Sequence, residues 1–596
     1  VKRALISFSL LIFSTCEAQG QTRSEPQPFP LPPPIEAPRD IAYPGTMTLH
    51  VDATDLAHRV FAIHQTIPVT QSGPMTLLYP KWIPGAHSAS GPLHNFAGLH
   101  IAANGQTLKW TRDPVEVYAY HIEVPTGTSE LLIDADHLTP TEGAQGGIAM
   151  TNEMLRLNWY SVALYPAGYF SRRVKVDASV ILPAGWQFGT ALEVNATSGD
   201  TTAFKTVSFE TLVDSPLFAG KYFRKIDLDP NGRSRVTLNV MADEPELLDA
   251  KPAVIDLHRE LIRQADKLYG ARHYDHYDFL LSLSEKLAGA GIEHQRSSNN
   301  GTTPKYFTGW DTGFISRDLL PHEYSHSWNG KYRRPADLWT PNFNVPMRTS
   351  LLWVYEGQTQ YWGNVLAARA GFLTKEQALD SWANTAATYD SHVGRAWRNL
   401  QDTTADPLIA NRRAIPWRTF QRSEDYYSEG QLVWLEVDTL IRERSKNKRS
   451  LDDFARAFFG VNDGDWGQLT YTFDDVVDAL NKIEPFDWAA FLKTRLEENA
   501  EHAPLDGLRR GGYKLVYVDT QSEYSKANES RRKSFDVTYS LGMVVDSKGG
   551  IDSVLWNGPA FKADLVPGID IVAINGLVFD GDRLKNAIKA SRDGAP

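Results

Sequence analysis

The segment His322-Glu323-Tyr324-Ser325-His326 sets two imidazoles four residues apart. On a helix that spacing is one turn, so both rings share a face and reach one metal ion. Glu323, beside the first imidazole, is placed to act as a general base toward a water on that ion. Zinc suits such a donor set. Although the chain holds 16 histidines, composition alone rarely produces this pattern, and the flanking residues decide. Ser316 and Asp318 precede the motif as N-cap candidates, and Pro321 fits a helix only in its first turn. A helix starting near Asp318 would carry the motif in its first two turns.

A catalytic zinc ion takes three protein ligands and keeps a fourth position for water. One class of zinc peptidase would need a glycine and a third histidine shortly after His326. Asn329 and Tyr332 stand there instead, which excludes it. The acidic candidates downstream are Asp337, Glu356, Glu376 and Asp380. Glu356 lies in the aromatic stretch from Ser350 to Trp362, read as one largely buried helix. A lone carboxylate there is costly unless it is paired or bound to metal. Glu356 is therefore the preferred third ligand. Asp337, in a proline-flanked loop, is the alternative. Trp328, Trp353 and Trp362 read as core packing.

These residues need a scaffold, and the rest of the chain supplies its outline. The chain has 596 residues, 42% hydrophobic and 22% charged, which is globular composition and long enough for several domains. A net charge of -11 argues against a nucleic-acid partner. The single cysteine, Cys16, excludes disulfide scaffolds and cysteine-ligated metal. Lys2-Arg3, the apolar run from Ala4 to Phe13 and the small residues ending at Ala18 read as a secretory signal peptide over residues 1–18. That implies export, to the periplasm or beyond; Cys16 also permits a lipid anchor. No other stretch approaches the length of a transmembrane segment. Residues 19–44 are a proline-rich linker, expected to be extended and to act as a spacer.

Three regions follow, distinguished by period. Residues 45–243 alternate with period two, as in Val115 to Ile122 and Arg235 to Val240, and are read as an antiparallel β-domain. Residues 244–500 turn to period 3.6, as in Ala253 to Leu268 and Lys375 to Tyr389, and form a mainly helical domain holding the metal motif. Residues 505–596 are mixed. Their order resembles a bacterial PDZ domain, with Ser540-Leu541-Gly542-Met543 as the loop that would hold a peptide's terminal carboxylate. The chain stops at Pro596, before the closing strand of such a domain, so an incomplete module is expected.

His322 to Asn329, then Arg334-Pro335, then Tyr355-Glu356-Gly357-Gln358-Thr359-Gln360-Tyr361, resembles the glycyl aminopeptidase family of zinc peptidases, the gluzincins. Trp82-Ile83-Pro84-Gly85 is similar to a Trp-x-Pro-Gly signature of that family, and the domain order also fits. The resemblance implies a multidomain α+β chain with a thermolysin-like catalytic domain. It also implies one zinc ion on His322, His326 and Glu356, and release of N-terminal residues, often glycine or alanine, from peptides. Tyr427, in Asp425-Tyr426-Tyr427-Ser428-Glu429-Gly430, is similar to a tyrosine that stabilises the oxyanion in related aminopeptidases; the sequence leaves open whether Tyr426 or Tyr427 faces the metal. Gly289 to His294 resembles a Gly-Ala-Met-Glu-Asn motif whose glutamate binds the substrate's α-amino group, which makes Glu293 the anchor. His294 and Ile292 depart from that motif. A zinc endopeptidase with the same metal site, or a non-catalytic peptide-binding scaffold, are the competing readings.

Overall fold

The computed structural model describes residues 24–593, apart from positions 288 and 290. The signal-peptide reading, Cys16 included, lies outside the described residues. The chain is a multidomain α+β protein with a β-rich N-terminal domain and a helical C-terminal region.

In the N-terminal domain the strands Thr46–Asp52, Val60–Pro68 and Glu130–Leu138 bury alternate residues, as period two requires. They belong to a nine-stranded sheet; a four-stranded sheet containing Gly73–Leu78 and Ala119–Val124 shares its core. The large sheet is not purely antiparallel: Thr46–Asp52 pairs parallel with Lys175–Ile181. Alternation reports which face a strand buries and nothing about a neighbour's direction, so the expectation erred there. The strand expected from Val115 begins only at Ala119, because Asp113 accepts from the N–H groups of Val115 and Glu116 and turns the chain. The proline-rich linker is no free spacer. Residues from Leu31 to Pro38 line a cleft of about 390 Å³ with Leu78 and Val115 of the β-domain.

Arg235–Ala242, read above with the β-domain, lies in a different, five-stranded sheet, parallel to His276–Leu283. Its partner strand lies beyond the helix Pro252–Tyr269, so period alone could not assign it. The catalytic region is thus less purely helical than expected. At the other end of that sheet the short strand Gly291–Glu293 pairs antiparallel with Ser297–Thr302 and carries Glu293. The helices Leu319–Ser325, Gly357–Arg369 and Ser428–Arg444 pack over one aromatic core in which Trp328, Trp353 and Trp362 are fully buried.

Asp506–Arg510, read with the C-terminal module, is tied to the long helix Ser428–Arg444, since Asp506 N–H donates to Glu436. A separate small core forms only after Ser534, around Val545, Ile551 and Leu584. Among the described residues no helix is long and apolar enough to cross a membrane.

Candidate active site

The motif helix Leu319–Ser325 starts after Asp318, with Pro321 in its first turn. Neither Ser316 nor Asp318 caps it through a side chain. Asp318 instead accepts from Gln360 Nε2 at 2.9 Å, which ties the motif helix to its neighbour. His326 Nδ1–H donates to Asn329 O at 2.9 Å, so Nε2 is the free donor toward a metal. Asn329 is itself held, donating to Val354 O and Thr359 Oγ1. The residue that stands where the excluded class needs a glycine thus orients the second histidine.

The helix expected across Ser350 to Trp362 is two helices, Leu352–Tyr355 and Gly357–Arg369, interrupted at Glu356 with φ -99° and ψ -46°. The irregularity is slight, since Glu356 N–H still donates to Leu352 O and Gln360 N–H to Glu356 O. A Cβ on Gly357 would lie 2.5 Å from Tyr426 O and 3.0 Å from Gly430 Cα, so only glycine permits this crossing.

Three donors converge. His322 Nε2 and His326 Nε2 are 3.0 Å apart, and Glu356 Oε2 lies 3.3 and 3.2 Å from them. A tetrahedral ion with ligands near 2.0–2.1 Å has donor–donor edges of about 3.3 Å, so the residues fit one zinc ion. Glu356 is 1% exposed and its Oε2 has no hydrogen-bond partner. A buried carboxylate oxygen lying against two imidazole nitrogens is a donor set that one shared cation would satisfy. Burial opposes ionisation of Glu356, but His326, His322 and His87 outweigh it and hold the carboxyl well below the usual range. Burial likewise opposes charge on His326, yet Glu356 raises it to about 9. Loading a metal at neutral pH therefore has to displace a proton from the imidazole pair. Asp337 is elsewhere, accepting from the N–H and hydroxyl of Ser350.

Glu293, Glu323 and His326 present donor atoms within 4.8 Å of one another. With Tyr427 and Arg412 they line a cleft of about 280 Å³. Glu323 Oε2 is buried without a partner, and burial, with Glu293 and Glu356 close by, pushes its carboxyl well above the usual range against the pull of His326. Glu293 accepts from Tyr355 Oη at 2.5 Å. Burial pushes Glu293 up, while His326, His87 and Lys331 bring it below the ordinary value, so it is an anion in the cleft wall. Tyr427 faces this cleft, 6.2 Å from the His322 ring centroid, whereas Tyr426 is fully buried behind it. Burial and Glu356 push the Tyr427 phenol well above its ordinary pKa despite Arg412, which leaves it a proton donor.

Tyr427 owes its place to a buried clamp. Arg422, 1% exposed, donates to Asp425 at 2.8 Å and Glu429 at 2.6 Å, on either side of the tyrosine pair. Replacing Arg422 by methionine takes the guanidinium from buried Asp425 and leaves Glu429 with Arg395 alone. Thermal unfolding of that variant should show a loss of about 3–5 kcal/mol; a loss under 1 kcal/mol would mean the clamp is dispensable.

Two residues at the site escaped sequence reasoning. His87 donates from Nε2 to Glu356 Oε1 at 2.6 Å, and Arg412 donates to Tyr427 Oη at 3.2 Å. The only available signal for His87 was its place two residues after Trp82-Ile83-Pro84-Gly85. Arg412 had none.

Residues 316–433 match the family model for M61 glycyl aminopeptidase, and residues 48–221 match that for the peptidase M61 N-terminal domain. The chain is a metallopeptidase. Among solved structures, the aminopeptidase N family protein from Idiomarina loihiensis is similar at TM-score 0.73 and 19% identity. The match covers 91% of the peptidase and 92% of that chain, which shows a shared fold. An M1 zinc metallopeptidase mutant from Deinococcus radiodurans bound to a Tyr-Ser-Ala substrate is more remote. It has TM-score 0.46 and 14% identity, covering 78% of the peptidase and 96% of that chain. Yeast LTA4 hydrolase in complex with bestatin has TM-score 0.45 and 13% identity, covering 77% and 68%. No curated protein matches the peptidase.

Proposed function

We propose that this metallopeptidase is a zinc-dependent aminopeptidase that removes N-terminal residues, glycine or alanine above all, from peptides. One observation carries the reading: the buried anion Glu293 lies in the same small cleft as the His322, His326 and Glu356 donors. One zinc ion held by those donors would supply Lewis acidity, polarising the scissile carbonyl and acidifying water. Glu293 pairs with the free α-ammonium and so sets the distance from the N-terminus to the bond that is cut. Glu323 takes the proton of the attacking water and passes it to the leaving amine. Tyr427 donates its phenol proton in a hydrogen bond to the oxyanion. The thermolysin-like domain assignment rests on the helix-borne motif, the glutamate on the next helix and the sheet edge beside them.

Metal analysis of the purified chain, with turnover of a panel of aminoacyl reporters, tests this proposal. Glu356→Gln should lower bound zinc and Asp337→Asn should not; the reverse result would move the third ligand. Tyr427→Phe should lower kcat by about 10²–10³-fold with zinc retained. A loss below about fivefold would remove Tyr427 from the oxyanion role.

The C-terminal unit we read as PDZ-like, supported by its order of short strands with the helices Pro559–Lys562 and Gly581–Ala590. Ser540, Leu541 and Gly542 all turn their N–H groups to Val537 O, which favours a packing role over capture of a peptide carboxylate. Trp556 stacks on Phe420 of the catalytic region at 4.5 Å, consistent with that. The basic and apolar leader supports a location outside the cytoplasm.

A further inference from the structure

His87 belongs to the N-terminal β-domain, yet it touches the metal centre. Its side chain is fully buried. Nε2–H donates to Glu356 Oε1 at 2.6 Å, while the other carboxylate oxygen, Oε2, is the one near both imidazoles. The ring also meets Tyr355 edge-on at 5.0 Å, and Tyr355 in turn donates to Glu293. The loop that presents His87 is held from both sides. Lys81 and Trp82 donate their N–H groups to Phe343 O, Ser88 pairs back to Ile83, and Ser88 Oγ donates to Asn411 Oδ1 at 3.0 Å. His87 itself sits at φ 52°, a left-handed conformation that a non-glycine residue keeps only where its surroundings over-determine it.

We infer that His87 is a positioning residue for the metal centre, lent by the β-domain to hold Glu356 so that a single oxygen is presented to the ion. This rests on the zinc reading given above. A carboxylate has two equivalent oxygens and can rotate to offer either one or both. Capturing Oε1 with a buried N–H removes that freedom and keeps the group ionised. His87 is not a fourth ligand. Its Nε2 is 2.6 Å from Oε1, a hydrogen-bond distance shorter than the roughly 3.3 Å edge between two donors on one tetrahedral ion. Its own donor neighbours are Glu293 and Glu356, and it shares no donor cluster with His322 or His326. The Trp82-Ile83-Pro84-Gly85 turn then has a purpose in this chain: it delivers the imidazole two residues on to a site more than two hundred residues away in sequence.

The test uses the full chain with three substitutions. His87→Phe keeps a ring and loses the donor. His87→Asn suits the left-handed backbone but is too short to reach Glu356. His87→Gln restores an N–H near the position of Nε2. Zinc affinity is read by competition with a chromophoric chelator, and folding by thermal unfolding of the metal-free proteins. His87→Phe and His87→Asn should raise the zinc Kd by about 10–100-fold, with His87→Gln within about threefold of wild type. Cobalt-loaded His87→Gln should keep the wild-type visible spectrum. Phe and Asn variants that both bind zinc as tightly as wild type would overturn the inference and leave the zinc reading intact. A glutamine variant as weak as phenylalanine, or with an altered cobalt spectrum, would overturn it too. A wild type without zinc affinity would sink both.

Discussion

Replacing Glu323 by glutamine should lower kcat by about 10²–10⁴-fold while leaving bound zinc unchanged. The side chain is buried, its Oε2 has no hydrogen-bond partner, and it is not among the three converging donors. Glutamine keeps the shape and removes the ability to accept a proton, so the metal stays and the chemistry stops. Metal content and reporter turnover of the same preparation decide the matter. A glutamine variant with more than a tenth of wild-type kcat would show that another group is the base.

N-acetylation of the substrate should cost about 10⁴-fold in kcat/KM, because it removes the ammonium and leaves Glu293 charged, buried and unpaired. Glu293 is 3% exposed and accepts a hydrogen bond from the Tyr355 hydroxyl. Glu293→Ala should raise KM and lower kcat together on free alanyl or glycyl reporters, since a misplaced N-terminus also misplaces the scissile bond. Zinc content should not move. The discrimination between free and acetylated substrates should collapse in the variant. If the wild type cleaves both substrates at equal rates, the aminopeptidase reading falls and an endopeptidase remains.

Some of this site is written locally in the chain. His322, Glu323 and His326 are one helical turn, and a turn obeys the same spacing in any fold. The preference for Glu356 came from a local argument as well, the cost of burying a carboxylate among aromatic residues. What locality cannot carry is anything that depends on which distant segment arrives. Gly357 meets Gly430 at a close crossing, a contact between helices that neither segment announces alone. Tyr426 and Tyr427 are indistinguishable by type, and only the packed structure, which buries Tyr426 and turns Tyr427 to the cleft, tells them apart. The parallel pairing of Thr46–Asp52 with Lys175–Ile181, and the transfer of Arg235–Ala242 to the catalytic sheet, follow from inter-strand hydrogen bonds. Period two leaves those bonds unspecified. His87 is the sharpest case. Nothing in its neighbourhood predicts that it will bond to Glu356, because the bond exists only once two domains have closed over one buried carboxylate. Periodicity and spacing are properties of a segment, whereas hydrogen-bond partners across domains are properties of the packed whole.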